Sequence, residues 1–210
     1  VLVHGRGVYN YSTHPHVKAG GGPNFTLECL ARTLDKLQLE NPSKPLPKKL
    51  YLQLDNCTGS NKNKYMFAFA DMLVRKGVFE EVVLSFLMVG HTHEDIDQLF
   101  SVISGKVKVV DMVTPDCMGK IVKNALIDAG YDNVDFEVLT FLHDYKGWLT
   151  PLIDPHFKNY RKPHAFSFSR VTTEADGRST QPTTIPKVRM RYKHWHRCFT
   201  WYPVHKDTAH

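Results

Sequence analysis

Two short apolar runs, residues 50–54 (LYLQL) and 82–88 (VVLSFLM), flank a stretch whose apolar residues recur at helical spacing: Tyr65, Met66, Phe69, Met72 and Leu73. This arrangement constrains the fold more than any other feature of the chain. An apolar run of five to seven residues bounded by turn-formers suits a strand covered on both faces. A helix placed between two such strands belongs to an α/β pattern in which at least part of the sheet is parallel. Gly77 follows the stripe where a helix C-terminus wants a left-handed residue.

The same alternation extends outward. Residues 1–11 read as a strand running into a His/Pro/Gly-rich loop. A helix follows with Asn24 as its cap and Leu27, Leu30, Ala31, Leu34 and Leu37 as its core stripe, and it stops at Asn41-Pro42. Pro42, Pro45 and Pro47 stiffen the connector to the first apolar run, which predicts a buried central strand ending at Asp55. Beyond the second run, residues 91–97 (HTHEDID) lead into a helix whose Ile96, Leu99, Phe100 and Ile103 are predicted to face the core and which Gly105 ends. Residues 106–110 read as a strand. Thr114-Pro115-Asp116 caps a further helix bearing Met118, Ile121, Val122, Ala125 and Leu126, closed by Gly130. Strand and helix alternate throughout, so the expected class is α/β: a mixed sheet flanked by helices, with residues 1–130 as the core and 131–210 as a basic, aromatic-rich accessory region.

Charge sharpens that division. The whole chain of 210 residues carries a formal +6, yet residues 158–206 hold 11 basic and 2 acidic side chains, while 1–157 hold 16 and 18. A polyanionic partner therefore fits the last quarter. There Arg189, Arg191, Lys193 and Arg197 interleave with aromatics, cations for phosphates and rings for base stacking. An ordinary strand with one charged face accounts for the same pattern about as well. No apolar run reaches the roughly 20 residues a bilayer span needs, so no membrane insertion is expected. The four cysteines are irregularly spaced and read as free thiols of an intracellular protein.

Three clusters could carry chemistry. Asp55 ends one apolar run, and Asp95 and Asp97 follow the next, so these carboxylates could gather at the carboxyl edge of a sheet, where a hard cation such as Mg²⁺ or Mn²⁺ would be held for phosphodiester attack. For Asp95 a helix-start role explains the residue equally well; for Asp97 it does so less. His91, His93 and Asp95 alternate as zinc ligands do, which leaves a Zn²⁺-dependent hydrolase open, against a plain structural role for His91 at the strand-to-helix turn. Asn61, Lys62 and Lys64, at the start of a helix, suit a phosphate contact, although no Walker glycines precede them and a solvated first turn is the commoner arrangement.

Residues 52–57 (LQLDNC), Asn61-Lys-Asn63 and 86–97 (FLMVGHTHEDID), with Tyr9-Asn10-Tyr11 and His14 upstream, carry a more specific signal. Together they resemble a family of eukaryotic transposon-derived proteins whose members show a DNC…NKN segment followed by a GHT…D helix. The resemblance spans about residues 8–104. It implies a ribonuclease H-like core of the transposase and integrase kind, in which acidic residues from a first strand, a fourth strand and a later helix bind metal and cut and join DNA. Asp55 matches the fourth-strand position and Asp97 the helix position, with Asp95 beside it; His91, His93 and Asn56 would orient these groups. The first-strand Asp has no counterpart, so the core is expected to lack its first strand, and this stretch alone is expected to be inactive. Ser104 stands where many relatives have Glu, which keeps a second reading open: a domesticated nucleic-acid-binding or assembly module without catalysis, able to self-associate. DNA as partner implies a nuclear location.

Overall fold

The computed structural model describes residues 1–17, 22–40, 42–43, 45–87, 95–110, 114–155, 157, 160–170, 188–193 and 202–203. The chain is mixed α/β and divides into two compact units, residues 1–36 with 89–144, and 37–88 with 145–210.

In the first unit, β1 (Leu2–Val3) and β2 (Gly7–Thr13) form an antiparallel hairpin, so the single strand expected over residues 1–11 is in fact two. The reversal falls at Gly5, whose φ of +71° suits a residue without Cβ. After β2 comes α1 (Pro23–Glu40), which begins in this unit and ends in the other. It buries Leu27 and Leu30 as the stripe requires, but also Glu28 and Thr33, so the inward face is rotated toward polar residues.

The second unit opens with β3 (Lys49–Leu54), α2 (Lys64–Arg75) and β4 (Glu81–Phe86). As expected, the two strands are parallel, with Leu52 opposite Leu84. β3 is nevertheless not central. It ends a five-stranded sheet, and Lys49, Tyr51 and Gln53 on one of its faces are exposed, Tyr51 by 68%. Only Leu50, Leu52 and Leu54 share the face on which Val82, Leu84 and Phe86 are fully buried. An apolar run alone does not distinguish an edge strand from an inner one.

Back in the first unit, α3 (Asp95–Val107) runs past Gly105. Residues 106–110, expected as a strand, are its last turn and the turns beyond: Lys108 N–H donates to Ser104 O and Val109 N–H to Lys106 O. Phe100 is 57% exposed rather than in the core. α4 (Pro115–Asp128) is capped by Thr114, whose side chain accepts from Cys117 N. Leu99, Val122 and Leu126 bury against Val8 of β2, with Ile96, Val102, Ile103, Met118 and Phe136 packed around them. β5 (Val134–Leu139) then pairs with β2 in parallel, Val8 opposite Val134.

The remaining elements complete the second unit: α5 (Tyr145–Leu149) with a short 3₁₀ turn, β6 (Ala165–Arg170), β7 (Val188–Lys193) and β8 (Tyr202–Pro203). The strand order is β3-β4-β6-β7-β8, antiparallel from β4 onward. Residues beyond 130, read as an accessory region, thus supply one strand to the first sheet and three to the second. α2 lays Phe67, Ala70 and Val74 on this sheet, and Phe67 sits among Phe86, Phe166 and Phe168.

Both helix-closing glycines behave as the sequence predicts. Gly77 (φ +77°) and Gly130 (φ +88°) end α2 and α4 with paired turn hydrogen bonds, Val78 N to Leu73 O and Gly77 N to Val74 O in the first case. A Cβ on Gly130 would meet nothing within 4 Å, whereas one on Gly77 would lie 2.5 Å from Arg170 Nη2. Gly130→Ala should therefore cost only the left-handed backbone penalty, about 1–2 kcal/mol, and Gly77→Ala measurably more because the guanidinium must also move. Equal losses in urea denaturation would show that Arg170 yields freely.

Candidate functional site

The carboxyl end of β3 runs into a tightly bonded loop. Asp55 is exposed, and its Oδ1 accepts from Cys57 N at 2.9 Å and from Asn61 Nδ2 at 2.7 Å, an Asx turn closed by a second clasp. Cys57 O in turn accepts from the N–H groups of Asn61 and Lys62, each at 2.9 Å. Asn63 caps α2, its Oδ1 accepting from Tyr65 N and Met66 N. The DNC…NKN pattern thus has a structural logic: one carboxylate and two amides fold the loop onto itself and onto a helix start. Asp55 is thereby held in a fixed position at the end of a strand. Asn56 is half-buried in the same loop. The exposed Cys57 thiol is held below its ordinary range by Ser60, whose hydroxyl lies 3.6 Å away, and then by loop backbone. Cys29, Cys57 and Cys117 are all free thiols.

Lys62 departs from its expected role. Its side chain is 1% exposed, too deep to touch a phosphate. Nζ donates to Arg161 O at 2.7 Å and lies 5.4 Å from the Phe86 ring centre. Burial pushes the ammonium below its ordinary range. Lysine at this position is an anchor between the loop and the chain just before β6. Lys64, in the first turn of α2, lies over the Tyr65 ring.

Asp95 and Asp97 are both exposed in the first turn of α3, where carboxylates favour the helix dipole. They belong to the first unit, and Asp55 to the second. His91 and His93 lie outside the described residues, as does Arg197; Arg189, Arg191 and Lys193 fall at alternate positions of β7, and their side chains lie outside the description. Among the described residues no group of three or more His, Cys, Asp or Glu side chains is placed to hold a metal ion, and no helix is long and apolar enough to cross a membrane.

A second polar constellation had no sequence signal beyond a helical i,i+4 pair. Glu28, buried within α1, receives Arg32 Nε at 2.7 Å on one oxygen and the His143 backbone N–H at 3.1 Å on the other, with His143 Nδ1 at 2.8 Å. Arg32 continues to Glu137, and Lys36 bridges Glu137 and Asp135. Burial alone would raise the Glu28 carboxyl, but the His143 and Arg32 hydrogen bonds outweigh it and hold the group below the usual carboxylate range. Acidic residues of β5 thereby bind α1 to the first sheet; His143 could not be anticipated because it lies 115 residues from its partner.

A family model described as a domain of unknown function, DUF7869, matches residues 1–183. No curated protein matches the chain, and no solved structure does. The chain belongs to the DUF7869 family.

Proposed function

We propose that this member of the DUF7869 family is a transposon-derived protein with a ribonuclease H-like core, whose ancestral chemistry is Mg²⁺-dependent cutting and joining of DNA strands. One observation carries the reading: the exposed Asp55 carboxylate stands at the carboxyl end of a strand that runs parallel to its neighbour, oriented through Oδ1 by Cys57 N and Asn61. The carboxyl edge of parallel strands is where α/β folds gather ligands. Asp55 and Asp97 offer hard oxygen donors of the kind Mg²⁺ or Mn²⁺ takes, with Asp95 as an acidic neighbour. Such an ion, when bound, supplies charge neutralisation for attack on a phosphodiester. The protein's own part is to fix Asp55: the Asx turn removes its rotational freedom before any ligand arrives. DNA as partner places the protein in the nucleus.

Asp55→Asn and Asp97→Asn, each in the full-length product, should lower Mg²⁺-dependent strand cleavage by about two to three orders of magnitude. The exposed carboxylate Asp128, at the far end of α4, serves as control: Asp128→Asn should leave the rate unchanged. Cleavage unaffected by both of the first two substitutions would reject the assignment.

A second reading, a non-catalytic nucleic-acid-binding or assembly module, is favoured by Ser104. It is exposed on α3 two turns after Asp97, on the same helix face, at the position where the resemblance to transposon-derived proteins implies a Glu. Wild-type product that binds DNA but never cuts it would select this reading. The zinc hydrolase rests on His91, His93 and Asp95, and metal analysis of the purified protein decides it: one equivalent of zinc favours it over the Mg²⁺ site.

A further inference from the structure

Lys62 is an unusual anchor because of what it holds. The loop before β6 is tied down at three places. Tyr160 packs on the buried Phe67 ring at 5.3 Å between centres, Arg161 O accepts from Lys62 Nζ, and His164 O accepts from Phe86 N at 2.7 Å. Phe157, stacked on Tyr160 at 5.2 Å, packs on Phe67 as well, and Pro163 is buried. Between these ties two side chains face water, Arg161 and Lys162, in sequence and both cationic. Residues 56–70 and 156–164, the two segments that Lys62 joins, together contain five basic residues and no acidic one. Solvation of a surface cation requires no such fixation; a fixed backbone beneath two adjacent cations lowers the ordering cost of binding an anion.

We infer that Arg161 and Lys162 form a phosphate-backbone contact for a nucleic acid strand, presented beside the Asp55 loop by the buried Lys62. Successive phosphates on a strand match two adjacent cations, so the contact positions a strand without selecting its sequence. The inference rests on the nucleic-acid reading given above but not on its metal chemistry.

Binding of a fluorescein-labelled oligonucleotide, single-stranded and duplex, is measured by anisotropy in EDTA over a range of salt, with the full-length product. Arg161→Ala/Lys162→Ala should weaken binding about tenfold or more at moderate salt and reduce the log–log salt slope by about two, uniformly across sequences. Lys106→Ala/Lys120→Ala, which removes the same charge from α3 and α4 of the first unit, should change both far less. Equal losses in the two double variants would overturn the inference, because they would report net charge alone. So would an unchanged slope in the first variant, absence of wild-type binding, or displacement of the oligonucleotide by polyglutamate at equal charge. Because no divalent ion is present, the outcome is independent of cleavage.

Discussion

Alanine at Phe67 is expected to lower unfolding free energy by about 3–5 kcal/mol, the largest loss any single substitution in the second unit should produce. The ring is 2% exposed and touches five other rings, those of Phe86, Phe157, Tyr160, Phe166 and Phe168, at centre distances of 4.6 to 6.3 Å. Several contacts are edge-on, an arrangement favoured by the ring quadrupole. Neighbours drawn from β4, β6 and the loop before β6 cannot all collapse into the vacated volume, so the cavity term remains. Phe67→Leu, which keeps most of the volume, should cost clearly less. Chemical denaturation of both variants checks this, and a Phe67→Ala loss below about 1 kcal/mol would mean that the aromatic cluster is not the core of this unit.

Glu28→Gln is expected to cost about 1.5–3 kcal/mol at neutral pH, although the shape of the side chain barely changes. The carboxylate is 2% exposed and accepts charge-assisted hydrogen bonds from Arg32 and, across 115 residues, hydrogen bonds from His143. An amide retains one acceptor and places two donors against groups that also donate. Because the folded-state carboxyl lies below its ordinary value of 4.5, its contribution is fully present above that value and is lost as pH falls from there through the lowered folded-state value. Wild-type stability should therefore decline in this acid range, and the variant should decline less. Glu80→Gln, which breaks the pair with Lys48 where both partners are more than 60% exposed, should leave stability nearly unchanged, because solvent screens such a pair. Parallel acid limbs for wild type and Glu28→Gln would show that this carboxylate does not couple folding to pH.

How much was legible in the sequence depended on the range of the interaction. The parallel pairing of β3 with β4, the α2 stripe with its Gly77 stop, and the Thr114 cap with Gly130 are local patterns, and each appears where it was expected. The strand expected at 106–110 was not found, because Val and Lys alternation fits a helix end as well when no neighbouring strand supplies hydrogen bonds. β5 and β6 alternate apolar with polar residues over 134–138 and 166–170, but each run is short and sits in a stretch mixing aromatics with proline, and their partners are not local: one pairs with β2 across some 126 residues and the other forms the middle of the five-stranded sheet. In the 55–63 loop the residue types pointed to Asp55, but not to the inward turn of Lys62, since a lysine among polar neighbours reads as solvated.

By itself, then, the sequence determined the alternating α/β character, the ends of α2 and α4 at Gly77 and Gly130, the Thr114 cap, and the place of Asp55 after an apolar strand. Those properties follow from backbone preference and periodicity within a dozen residues. Only the tertiary structure decided which strand is at an edge, how the chain parts into two interleaved units, that Glu28 and Lys62 are buried, and that Arg161 and Lys162 stand on an anchored loop. Each of these depends on partners brought together from distant parts of the chain, and burial is a property of the assembled neighbours rather than of the residue.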